Sequence, residues 1–210
     1  MVKSNLAVLL AERGLKITKV SEDTRISRTT LTALYYNHCL GVQFDTVNTL
    51  CMYLGVTPGD LFVYVPFDFS ISECTASRTK DAMGTRDSVA GVFVVNMNSD
   101  KGSISPMLSF DGWAYVNTGT LESATIFVGF TYEDGRPEEL IDKETDTLIN
   151  AFKYAPVIFF KDFEQAIREA IREALEKEFP HEFDSAHGEV YGGIAEGCEI
   201  ELRLPPEIWR

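Results

Sequence analysis

Two hydrophobic periods divide this chain near residue 66. From Asn5 to Arg13, apolar Leu6, Leu9 and Leu10 recur at helical spacing and stop at Gly14, a residue suited to the left-handed backbone that ends many helices. Residues 17–24 predict a second short helix with Val20 and Thr24 inward. Ser27 is a natural N-cap for a third, running to about Tyr36, with Leu31 and Leu34 on its buried side. A fourth helix, about 44–54, carries Val47, Leu50, Cys51 and Leu54 and ends at Gly55. Thr57-Pro58-Gly59-Asp60 then supplies an N-cap, a proline at the first helical position and an acid at the third, opening a fifth helix to about Phe62. Residues 1 to about 66 are thus expected to fold as an all-α five-helix bundle.

From Phe67 the period falls to two, with Phe67, Phe69 and Ile71 alternating with Asp and Ser. Further strands are expected at 89–97, at 109–117 around Trp113 and Tyr115, at 124–132 around Ile126, Val128 and Phe130, and at 198–204. The polar stretch 72–88 reads as a loop and Asp134-Gly135-Arg136-Pro137 as a turn. One long helix is expected at 162–179, with Asp162 at its N-cap, Gln165 three residues on and Pro180 after its end; 138–160 shows no clear period. Its stripe of Phe163, Ala166, Ile167, Ala170, Ile171, Ala174 and Leu175 would pack on a sheet. Residues 67–210 are therefore expected to be an α+β domain with a mostly antiparallel sheet, and the whole chain α+β.

The segment Gly14-Leu15-Lys16-Ile17-Thr18-Lys19-Val20-Ser21-Glu22-Asp23-Thr24-Arg25-Ile26-Ser27-Arg28-Thr29-Thr30-Leu31 carries the most specific signal. Two short helices held at a fixed angle need small or apolar residues where they cross, here Val20 and Ser21. They also need a plug in the turn, Ile26, and an anchor on the second helix, Leu31. The outward positions of that helix are then Arg28, Thr29, Thr32 and Tyr36. Arginine can bond guanine bidentately, and threonine can offer a hydroxyl to a base or a methyl to thymine.

These residues resemble the Cro/CI-type (XRE) helix-turn-helix family. The resemblance covers residues 5–62 and includes Gly14-Leu15, Ile26-Ser27-Arg28-Thr29-Thr30-Leu31 and Leu54-Gly55-Val56-Thr57-Pro58-Gly59-Asp60-Leu61. It implies a transcriptional regulator whose third helix enters the major groove of duplex DNA. The start of the second helix would meet the DNA backbone, and the protein would act as a dimer on a near-palindromic operator. The candidate contacts are Lys16, Ile17, Thr18, Lys19, Ser27, Arg28, Thr29, Thr30, Thr32, Tyr36 and Asn37. Two positions depart from the family pattern. Ile17 stands where many members carry glutamine, and Tyr35-Tyr36-Asn37 replaces the usual Glu-Asn-Gly, so a tyrosine hydroxyl or Asn37 would supply the backbone contact there.

The net charge of −13 first reads as an argument against a polyanionic partner. Its distribution removes the conflict. Residues 1–66 hold six of the 19 Lys/Arg and five of the 32 Asp/Glu, leaving 13 and 27 for the remainder, a net of +1 against −14. All six cations fall within the first 28 residues, so positive surface is local. The acidic remainder repels DNA, which weakens non-specific binding and leaves specific contacts to decide.

Other chemistry is poorly supported. Cys39, Cys51, Cys74 and Cys198 lie far apart with no C-x-x-C pair, and read as free thiols. Neither Asn37-His38-Cys39 nor the group His181, Glu182, Asp184 and His187 has convincing metal-ligand spacing. Ala90-Gly91 resembles the cleavage bond of self-cleaving serine-lysine repressors, but it lies in a strand-like run without a matching nucleophile motif. Gly192-Gly193-Ile194-Ala195-Glu196-Gly197 opens no helix, as a phosphate loop would. No apolar run approaches the roughly 20 residues that span a bilayer, and Met1-Val2-Lys3 leads into no signal peptide, so a cytoplasmic location is expected.

The reading is a two-domain repressor: residues 1–66 bind DNA and 67–210 oligomerise, with a protein or small-molecule effector of the second domain left open. It has no enzymatic activity, catalytic residue, metal or cofactor, and no membrane partner. The alternative is an antitoxin-like protein whose second domain masks a partner protein while the first autoregulates. Residues 1–66 are expected to be too polar outside their own core to form a large second interface.

Overall fold

The computed structural model describes the chain except residues 81–85, 132–134, 185–188 and 209–210; the side chains of 182–184 and 189–192 are likewise outside the described set. The chain divides into two compact units, Met1–Pro66 and Phe67–Arg210.

The first unit runs β1 (Val2–Ser4), α1 (Leu6–Glu12), α2 (Ile17–Thr24), α3 (Arg28–Tyr35), α4 (Phe44–Leu54), α5 (Pro58–Leu61) and β2 (Phe62–Tyr64). Its helix ends follow local chemistry. The Ser27 hydroxyl accepts the Thr30 amide at 3.1 Å, which satisfies one of the orphan donors of α3. Thr57 and Asp60 cap α5 reciprocally, Asp60 N–H donating to Thr57 Oγ1 at 3.3 Å and Thr57 N–H to the Asp60 carboxylate at 2.8 Å. The hydrogen bonds from Thr57 hold the Asp60 carboxyl below the usual range. Gly55 closes α4 at φ 67°. Leu6, Leu10, Val20, Leu31, Leu34, Leu50 and Leu61 fill the core, each buried side chain contributing about 1.5–3 kcal/mol.

This unit is not all helix. β1 pairs antiparallel with β2, Lys3 opposite Val63, and the Met1 ammonium donates to the Val65 carbonyl at 2.7 Å. Strands of three residues are too short to show a period, and the pairing exists because the chain returns to its own start. Nor is the surface polar throughout. Leu40 and Phe44 are almost fully exposed, and Met52 and Tyr36 largely so.

The second unit runs β3 (Phe67–Thr79), β4 (Arg86–Ser99), β5 (Gly102–Ile104), β6 (Met107–Asn117), β7 (Thr120–Phe130), α6 (Glu138–Lys153), α7 (Val157–Glu178), β8 (His181–Asp184), β9 (Glu189–Gly192) and β10 (Ile194–Arg203). The sheet order is β10-β7-β6-β4-β3, with β5 beside β4. β10 is parallel to β7 and the other pairings are antiparallel. A parallel return needs a long crossover, which α6, α7 and the β8–β9 hairpin supply.

The stretch 72–88 departs from its reading as a loop. β3 continues to Thr79 and β4 begins at Arg86, with residues 81–85 outside the description. Beyond Glu73 the outward positions of β3, an edge strand, are Thr75, Ser77 and Thr79, so its apolar signal fades while its pairing with β4 persists as far as Thr79 opposite Ser88. A bulge at Glu73, φ 53°, shifts the register there. The last helix also begins earlier than expected, at Val157 after Pro156, and α6 fills most of the segment without a clear period. Asp162 is therefore inside the helix, and Pro156 stands at the N-cap position instead. The reason is aromatic packing: Phe159, Phe160 and Phe163 are buried, Phe163 lies 4.3 Å from Phe152 between ring centroids, and it meets Phe69 edge-on at 5.4 Å. The stripe buries Phe163, Ile167, Ile171, Ala174 and Leu175. The buried pair Arg78–Asp87 ties β3 to β4, while Arg78 also lies over Phe179 beyond the helix end. Of the expected turn, Gly135 has φ 87° and Asp134 lies outside the described residues.

Candidate nucleic-acid interface

α2 and α3 cross through Val20, and the turn between them is locked by short polar contacts. Ser21 donates to the Ile26 carbonyl at 2.7 Å. The Thr24 hydroxyl donates to the Val20 carbonyl at 2.6 Å and accepts the Ile26 amide at 3.3 Å. Arg25 adopts φ 64°, a conformation that costs a non-glycine residue about 1–2 kcal/mol. Ile26 packs half-buried against the leucine core. The angle of α3 is therefore set by several independent contacts.

α3 buries Leu31 and Leu34 and leaves Arg28, Thr29, Thr32 and Tyr36 exposed. Steps of three and four residues place these four on one outward side. Arg28 lies 3.9 Å from Glu22, but both are largely solvated, so the pair leaves the guanidinium available to a ligand. Tyr36 stacks beside His38 with ring centroids 6.0 Å apart. Lys16 and Thr18 are exposed at the start of α2.

The remaining candidates are engaged within the protein. Ile17 packs against the leucine core. Ser27 caps α3, and its hydroxyl lies 2.8 Å from that of Thr30. Lys19 bonds Asp23 at 2.8 Å, and the Tyr53 hydroxyl donates to the same carboxylate at 2.6 Å. The Lys19 contact, then the Tyr53 one, hold the Asp23 carboxyl low, and Asp23 in turn raises Lys19 and Tyr53. Asn37 uses both ends of its amide on Ser4: the Ser4 N–H donates to Oδ1 at 2.6 Å and Nδ2 donates to the Ser4 carbonyl at 3.1 Å. Asn37 sits at φ 56°, which asparagine tolerates well. Its place just past a helix was a readable signal for that backbone conformation; its clamp on Ser4, 33 residues away, and the bond from Tyr53 to Asp23, 30 residues away, had none.

Burial raises the Cys51 and Cys198 thiols, and Cys74 to about 11, which disfavours the reactive thiolates. Among the described residues no group of three or more His, Cys, Asp or Glu could hold a metal ion. Glu182, Asp184 and His187 have side chains outside the description. Ala90 and Gly91 lie inside β4, paired on both sides, to Ser77 and Ala76 in β3 and to Asp111 and Phe110 in β6. Among the described residues no helix is long and apolar enough to cross a membrane.

No curated protein matches the chain. A solved structure from Bacteroides fragilis, described as a "putative DNA-binding protein", is 22% identical over 30% of this chain and 100% of that one, with a TM-score of 0.28. The family model of the Cro/C1-type HTH DNA-binding domain matches residues 5–66, which makes the first unit a helix-turn-helix module of that kind and leaves the second unit outside it.

Proposed function

We propose that this protein is a sequence-specific transcriptional regulator, a cytoplasmic repressor that binds a near-palindromic operator as a dimer. The observation that carries the reading is the row Arg28, Thr29, Thr32 and Tyr36, exposed on a helix whose other side is buried. In the major groove, Arg28 suits guanine and the two threonines suit hydroxyl or methyl contacts. Lys16 and Thr18 would meet phosphates at the start of α2, and Tyr36 would do so past α3. Ser27, Thr30, Lys19 and Asn37 then act mainly by holding that geometry. A single module reads only one half-site, so a second copy bound about 34 Å away, one helical turn, multiplies the specificity. The second unit would hold the two copies together.

Selection from random duplexes with the full chain tests this reading. It should enrich two related half-sites one turn apart, with affinity falling steeply as salt rises because phosphate contacts release counterions. A reporter placed behind the selected site should lose expression when the protein is present. No enriched motif, together with affinity that ignores ionic strength, would overturn the proposal.

A further inference from the structure

The sheet of the second unit has two unlike faces. Asp87, Val89, Ala114, Ala124, Ile126, Cys198 and Ile200 are buried on one. The alternate residues point the other way and form three rungs across four strands, in the order β4, β6, β7, β10. The first rung is Arg86, Tyr115, Ser123, Glu199; the second Ser88, Trp113, Thr125, Glu201; the third Ala90, Asp111, Phe127, Arg203. Arg86 lies 4.3 Å over Trp113, Trp113 packs on Phe127 at 5.5 Å, and Arg203 lies 5.2 Å over Phe127. An arginine–aromatic–aromatic–arginine ladder thus runs diagonally over an open face.

We propose that this face is where two copies of the chain meet, around a two-fold axis parallel to the strands between β6 and β7. This rests on the dimeric operator binding proposed above. Such an axis sets β4 of one copy opposite β10 of the other, and β6 opposite β7. In the first rung Arg86 then faces the partner's Glu199, twice over. Near the axis each rung sets an aromatic against a smaller residue: Tyr115 opposite Ser123, Trp113 opposite Thr125, Phe127 opposite Asp111. Facing sheets lie about 10 Å apart, a gap that such interleaving side chains fill. Charge supports the same occupant. The three rungs hold two arginines and three acids, nearly neutral within a unit whose net charge is −14. The strong repulsion that would keep two copies apart is therefore absent where they would touch. Three acids on the face also disfavour a nucleic-acid strand as its ligand.

Two single variants of the full chain, Arg86→Glu and Glu199→Arg, test the geometry. Within one copy the two residues are three strands apart, about 14 Å, so neither greatly affects the other in cis. Each variant alone sets like charges face to face and should weaken the dimer about tenfold or more by analytical ultracentrifugation. Mixed in equal amounts, the two should recover wild-type association, because every facing pair in the mixed dimer is again opposite in sign. Circular dichroism confirms that each variant is folded. A dimer unmoved in both single variants, or no rescue on mixing, overturns this interface while the dimer reading stands. A wild-type chain that is monomeric both free and on its selected DNA removes the dimer reading itself.

Discussion

The two units of this chain are built on opposite strategies. Met1–Pro66 is a set of short helices around a leucine core, and its boundaries are written locally, in Ser27, Gly55, Thr57 and Asp60. Phe67–Arg210 is organised by pairing between strands far apart in sequence, down to β10 lying beside β7. The charge follows the same division, +1 against −14. On the proposed reading, the contrast teaches that recognition of a polyanion would need only a small local surface, one side of α3, backed by the leucine core.

Both tryptophans of the chain, Trp113 and Trp209, lie in the second unit, so fluorescence and DNA binding report on different halves. Phe163→Ala removes the ring at the centre of the cluster with Phe69 and Phe152. It should cost the second unit about 3–5 kcal/mol, read as a lower urea midpoint of tryptophan fluorescence. If the midpoint does not move, α7 is not what closes that core.

Leu31→Ala, fully buried behind the recognition surface, should cost about 2–5 kcal/mol and abolish operator binding. The tryptophan transition should stay within error of wild type, and a parallel shift would show that the two units unfold as one. Arg28→Ala is expected to do the reverse: stability unchanged, operator affinity down by about 1–3 kcal/mol, and preference relaxed at one base pair per half-site. Unchanged affinity and motif would remove Arg28 from the reading surface. Ser27→Ala separates holding from reading. Loss of the cap should lower the helical transition by about 1 kcal/mol without altering which bases are selected.

Acid provides the smallest effect. The Asp23 and Asp60 carboxyls sit low in the folded unit because of Lys19 and Thr57. Their contribution is present at neutral pH and is lost as pH falls through their folded values, below the usual carboxylate value of about 3.9. The helical urea midpoint should therefore fall as the pH is taken below about 4, less so in Asp60→Asn. An identical fall in that variant would assign the acid sensitivity to other groups.

The sequence alone determined most of the first unit. Helix spans, caps and the outward row of α3 follow from spacing, because a helix closes its hydrogen bonds within a few residues and each turn carries its own signal. It also determined the apolar stripe of the last helix. What only the tertiary structure decided was everything that depends on a distant partner. β1 and β2 exist because the two ends of the unit meet, and Asn37 is a clamp because Ser4 arrives beside it. The polar half of β3 is a strand because β4 lies next to it, and α7 begins at Val157 because Phe160 and Phe163 find Phe152, and Phe163 also finds Phe69. A strand closes no hydrogen bond by itself, so its extent and register are properties of the pair.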